Sequence, residues 1–155
     1  MVPSPLCFQL VKRFEPLCLT VTRDSASDPT IGYGHVAPDT ALSVTPEQAD
    51  DLLSRDLNAL GDIISRRAEA DGVILSQGMF DALTDFAYNL GYRALFNSYM
   101  WDVLTDNTIA PDSRVTLAAR DLLLWDKARD PKTKKMVTVP YLTERRAAEK
   151  ELFLS

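Results

Sequence analysis

Histidine occurs once in the 155 residues, at His35, and cysteine only twice, at Cys7 and Cys18, with no CxxC pair. A zinc site built from clustered His and Cys is thereby excluded. The two thiols read as reduced and partly buried; a disulfide would need their segments packed together in an oxidising compartment. A basic surplus is missing too. Seventeen Lys and Arg stand against 22 Asp and Glu, a formal net charge of −5. That is the wrong sign for a nucleic-acid binder and a poor match to any anionic polymer. No apolar run approaches the length of a membrane span. Met1 to Leu10 has no basic segment leading into a long apolar stretch, so no secretory signal is expected. Repeats and low-complexity segments are absent. What remains, 46% hydrophobic and 25% charged, is an ordinary soluble globular composition. It suits one domain, or two small lobes sharing a long element.

The chain divides readily into elements. Leu6, Leu10, Val11 and Phe14 recur at helical spacing behind Pro5, which suits a first helical turn. Pro16 should end this helix near Glu15, because the residue before proline is driven out of the α region. Leu17 to Arg23 alternates and is rich in β-branched residues, and Thr30 to Val36 is also strand-like. Between them lies the turn-rich run Asp24 to Pro29, so a hairpin or small sheet is expected. Thr45, Pro46 and Gln48 form a strong helix start. The helix behind them carries Ala49, Leu52, Leu53, Leu57, Leu60, Ile63 and Ile64 and runs to about Ala70, roughly 37 Å at the usual rise. Ser76 caps a further helix that Gly91 ends. Helices are also expected near 98–104, 113–125 and 142–153, with a basic turn-rich stretch over 126–135 and a short strand at Met136 to Val139. Helix, small sheet, long helix and helical bundle make an α+β protein with segregated layers.

Glu15, Asp24 and Thr30 stand out as E-x8-D-x5-T. Glycoside hydrolysis needs a protonated acid to load the leaving oxygen and a carboxylate to handle the attacking water or the developing charge. Glu15 sits at the negative end of a helix, which favours the protonated form. Asp24 lies on a polar loop, where it stays ionised, and the Thr30 hydroxyl can hold a water. Two other readings are weaker. Gly32-Tyr33-Gly34-His35-Val36-Ala37 imitates a dinucleotide fingerprint, but Pro38-Asp39-Thr40 follows where that fingerprint needs a helix. Trp101 and Trp125 could stack on sugars, though core packing is the plainer reading of Trp125. Lys127, Arg129, Lys132, Lys134 and Lys135 form a basic cluster, either a solvated loop or a contact for an anionic partner such as membrane headgroups.

Phe14-Glu15, Leu17, Leu19, Asp24 and the run Thr30-Ile31-Gly32-Tyr33-Gly34-His35 resemble the signature of phage-type lysozymes, the endolysins of glycoside hydrolase family 24. The similarity continues through Gln77, Phe80 to Leu83 and Phe86 to Gly91. It reappears in Trp125 and in Leu142, Arg145-Arg146, Glu149 and Leu152-Phe153. The resemblance implies a lysozyme-like fold within a single domain over 1–155. A β lobe would cover about 15–44, a connecting helix 45–70, and a helical lobe 71–155 with the N-terminal helix. It further implies Glu15 as general acid, Asp24 and Thr30 as the residues that position and activate water, and no metal or other cofactor. The implied substrate is peptidoglycan, cleaved by hydrolysis with inversion at the β-1,4 bond between N-acetylmuramic acid and N-acetylglucosamine. Gly34, His35, Tyr88 and Asn89 would contact substrate. Asp56 would hold His35, and one of Arg145 and Arg146 would pair with Glu15, its charge opposing the effect of the helix end on the Glu15 proton. A catalytic His35 is not expected, because the acid and base roles are filled.

The chain departs from the family at Pro16, where Gly is usual. Cys18, Thr22 and Tyr141 stand where a basic residue, Tyr and Gly are common. The implied setting is a monomer made in the bacterial cytoplasm, released by a holin, and acting on the periplasmic wall during lysis. A tail-associated lysozyme or an injected effector would share the chemistry. A wall-binding module without catalysis, or an enzyme giving anhydro-sugar products, are the alternatives of other kinds.

Overall fold

Ser4 opens the first helix, α1 (Pro5–Phe14), by accepting a hydrogen bond from the Leu6 N–H. A computed structural model describes residues 1–22, 28–37 and 42–155. Proline in the first turn costs α1 no hydrogen bond; Pro16 stops it. Phe14 is the last helical residue and Glu15 the extended cap, its own N–H still donating to the Val11 carbonyl. Cys7, Leu10, Val11 and Phe14 form the buried face.

The segment Thr30 to Val36, read as one strand, is two. β1 (Cys18–Thr22), β2 (Thr30–Gly32) and β3 (His35–Val36) form a three-stranded antiparallel sheet in that order. Ile31 pairs with His35 and Thr30 with Val36. Gly32 at φ 67° and Gly34 at φ 99° supply the reversal. Those angles are costly for any residue with a Cβ. The loop expected between the first two strands, with Asp24, falls mostly outside the described residues.

α2 (Pro46–Asp71) starts with the expected Thr45/Gln48 capping box and ends at Gly72 in the left-handed conformation. Its 26 residues span about 39 Å, running from β2 and β3 to the helical core. Its buried face is Ala49, Leu53, Leu57, Gly61, Ile64 and Ala68. Ile63, placed on that face by the sequence reading, is exposed. Gly61 takes part instead because a Cβ there would stand 2.9 Å from the Phe80 ring. The bare backbone lets α3 (Gln77–Leu90) lie close.

α3 is the central helix. Ser76 caps it, and every residue from Gly78 to Ala87 is buried. Around it pack α4 (Tyr92–Phe96), α5 (Tyr99–Thr105), α6 (Pro111–Leu122) and α7 (Pro140–Phe153). α4 is an addition to the sequence reading; Gly91 breaks α3, and the chain resumes one short helix directly. Another addition is β4 (Lys127–Arg129), which pairs with β5 (Met136–Thr138) and makes a hairpin of the stretch read as turns.

Phe80, Leu83, Phe86, Leu95 and Trp101 centre the main core, and Cys7, Val11, Leu53 and Leu57 a smaller one under α1. Trp101 is therefore a core residue, its Nε1 donating to Asp71 at 2.8 Å. Trp125 is half-buried, edge-on to Phe86 at 5.3 Å. Cys7 is buried, Cys18 is half-buried, and both are free thiols. Among the described residues, no helix is long and apolar enough to cross a membrane.

Candidate active site

Glu15 stands where α1 gives way to β1, and its side chain keeps 22% of its surface exposed. Arg145, from the first half of α7, meets it: Nη1 lies 2.5 Å from Glu15 Oε1. The guanidinium is wholly buried. Its other edge makes a bidentate pair with Asp85 on α3, at 2.9 Å and 3.0 Å. Burial works against the Arg145 charge, but the Asp85 and Glu15 carboxylates outweigh it and raise the proton affinity of the guanidinium. Of the two arginines left open by the sequence, Arg145 is the partner of Glu15.

Arg146 points elsewhere. Its Nη2 donates to Asn89 Oδ1 at 2.6 Å, and its guanidinium lies 5.0 Å from the Phe86 ring centroid. Nη1 comes 3.1 Å from Glu149 Oε2, close enough for charge attraction but without hydrogen-bond geometry. Glu149 is fully buried. Burial pushes its carboxyl well above the usual carboxylate range, and the neighbouring Asp85 adds to the effect. A neutral Glu149 leaves Asp85 as the buried carboxylate that pairs with Arg145.

The opposite wall comes from the sheet. A Cβ placed on Gly34 would stand 3.9 Å from Glu15 Oε2 and 3.7 Å from the Tyr88 hydroxyl. The β2–β3 turn therefore faces the free oxygen of Glu15. Tyr88 donates to the Tyr33 carbonyl at 2.7 Å, joining α3 to that turn. Burial, with Asp56 and Glu15 nearby, raises the Tyr88 phenol above its ordinary range, so it remains a donor. His35 Nδ1 lies 2.8 Å from Asp56 Oδ2, which ties β3 to α2. Thr30 is half-buried at the start of β2, paired with Thr22. Asp24 lies outside the described residues.

Glu15, Gly34, Tyr88 and Arg145 thus converge, whereas Asn89 and Arg146 form a second pair and His35 and Asp56 a third. Asp85, Glu149 and Tyr141 escaped sequence reasoning as site residues. A signal existed for the acids: Asp85 falls between Leu83 and Phe86 in the apolar stretch of α3, and Glu149 follows Arg145 by one helical turn. Tyr141 had none beyond its oddity. Its hydroxyl donates to the Phe14 carbonyl and lies 3.5 Å from Arg145 Nη1, and its ring stands edge-on to Phe14 at 5.7 Å. Among the described residues, no group of acidic, His and Cys side chains is arranged to hold a metal ion.

A small antiparallel sheet set against a helical bundle, with a glutamate at the helix end between them, is the lysozyme type of α+β fold. Residues 12–149 match the phage lysozyme family, and the chain belongs to it. The endolysin of Bacillus phage PZA is 33% identical over 150 residues, covering 94% of this chain and 52% of that protein. The chain thus spans about half the length of that relative. The endolysin of Salmonella phage P22 is 33% identical over 152 residues, covering 94% of this chain and 92% of its own. Among solved structures, the muramidase domain of SpmX from Asticaccaulis excentricus superposes with a TM-score of 0.81. It is 33% identical, with 98% of this chain and 97% of that one covered.

Proposed function

We propose that this chain is a muramidase that hydrolyses the β-1,4 bond between N-acetylmuramic acid and N-acetylglucosamine in peptidoglycan. The observation that carries the reading is the seating of Glu15: one carboxyl oxygen is fixed by buried Arg145, and the other faces the glycine turn. An acid so held presents its proton in one direction. Glu15 protonates the glycosidic oxygen as the bond to the anomeric carbon breaks. Water, oriented by Thr30, adds to that carbon and gives its proton to Asp24. Proton exchange with solvent then restores both groups. Tyr88 and Gly34 line the sugar path; His35–Asp56 and Arg146–Asn89 brace the walls. The chemistry needs only carboxyl groups and water. The proposed setting is lysis of a bacterial host by a monomeric endolysin that a holin admits to the wall.

The test is lysis of outer-membrane-permeabilised Gram-negative cells by the native chain and by Glu15→Gln, with mass spectrometry of the released fragments. Native lysis giving reducing sugar ends, abolished in Glu15→Gln, is the expected result. Equal lysis by both would overturn the acid assignment. No lysis by the native chain would favour a binding module, and anhydro-sugar ends would mean internal transfer.

A further inference from the structure

Lys127, Arg129, Lys132, Lys134 and Lys135 surround a single carboxylate, Asp130. Nine residues therefore carry a net +4, leaving −9 on the rest of the chain. This segment forms β4 and the loop into β5. Every residue from Lys127 to Thr138 is exposed except half-buried Asp130, and neither strand packs extensively against another element. A two-stranded hairpin with no core beneath it adds little to stability. Among the described residues, none of its five cations lies within ion-pair distance of a carboxylate. Asp130 is occupied in shaping the loop, its Oδ1 accepting from the Lys132 and Thr133 N–H groups at 2.7 Å each.

The hairpin closes beside the proposed active site. Val139 N–H donates to the Asp126 carbonyl at 2.9 Å. Only Val139 and Pro140 separate β5 from Tyr141, which reaches Phe14 and Arg145.

We infer that this hairpin docks the carboxylate-bearing peptides carried by the glycan strand of peptidoglycan. The inference rests on the muramidase reading and answers its electrostatic difficulty. A body of −9 repels an anionic polymer, and a +4 edge close to Arg145 and Glu15 gives the polymer one attractive side and one orientation. Lipid phosphates fit less well. By register, Met136 lies with Lys127 and Arg129 on one face, whereas Val137 lies with Ala128 on the other, so no continuous apolar surface is offered to a bilayer.

The experiment compares the native chain with Lys132→Glu/Lys135→Glu and with a charge-matched control, Arg66→Glu/Arg120→Glu, whose residues are exposed elsewhere. Hydrolysis of whole sacculi by the native chain is measured first; its absence defeats the muramidase reading itself. Binding is then measured in the Glu15→Gln background. The ligands are immobilised glycan strands with their peptides, the same strands stripped of them, and phosphatidylglycerol vesicles. The hairpin variant should bind peptide-bearing strands roughly tenfold more weakly at low salt. The difference should shrink as salt rises and be much smaller on stripped strands, which keep only the lactyl carboxylate of each disaccharide, and the control should match the native chain. Active protein whose hairpin variant binds peptide-bearing strands as tightly as the control does would overturn the inference. So would hairpin-dependent binding to vesicles with none to peptide-bearing strands.

Discussion

Removing the Arg145 guanidinium should separate stability from activity. Arg145 and Asp85 are both fully buried and joined by two hydrogen bonds. Arg145→Met leaves the Asp85 carboxylate in the core without its cation. Breaking a buried pair in this way costs about 3–5 kcal/mol. The loss of contact to Glu15 adds less, because Glu15 remains partly solvated. For a protein of this size, 1 kcal/mol shifts Tm by about 2–4 °C, so the expected fall is about 6–20 °C. Adding Asp85→Leu removes the stranded charge, and a buried pair replaced by apolar groups is often no less stable. The double variant should therefore recover most of the lost Tm in calorimetry. Its lysis of permeabilised cells should remain low, because Glu15 has still lost the group that aims it. A double variant as unstable as the sum of its two single variants would refute the pairing argument. Full lysis by the double variant would show that Arg145 does not position the acid.

Glu149→Gln should change how stability responds to pH. Burial, followed by Asp85, raises the Glu149 carboxyl in the folded state above its unfolded value. Its stabilising contribution is therefore complete below about pH 4.3 and is lost as pH rises through the folded value. The Tm of Glu149→Gln relative to the native chain should climb from pH 4 to pH 7, and a difference independent of pH would count against a proton held there. Tyr141→Phe removes the donor to the Phe14 carbonyl and should cost about 0.5–1.5 kcal/mol in urea unfolding. It should lower kcat on sacculi more than it raises KM. A rise in KM with kcat intact would place Tyr141 in substrate binding instead.

Local rules account for what was legible beforehand. Pro16 placed Glu15 at a helix end, and the Thr45/Gln48 box placed the start of the long helix, because caps and prolines act within a turn of themselves. Other features depend on the packed state. Adjacent residues on a helix point about 100° apart, so the rotation of α7 decides whether Arg145 or Arg146 meets Glu15, and its packing against α3, α6 and α1 sets that rotation. The run Thr30 to Val36 read as one strand because Thr30, Ile31, Tyr33 and Val36 are strand formers. The reversal lies in two positive φ angles that glycine permits without advertising them. Gly61 was invisible for a similar reason: its value is the Phe80 ring it lets approach.

The hydroxyl of Tyr88 reaches from α3 to the Tyr33 carbonyl in the β2–β3 turn, so a single hydrogen bond latches the helical core to the turn that faces Glu15. A bond of this kind is worth about 0.5–1.5 kcal/mol, which biases two arrangements by roughly twofold to tenfold. The turn is thereby held against α3 by a margin small enough for thermal motion to overcome.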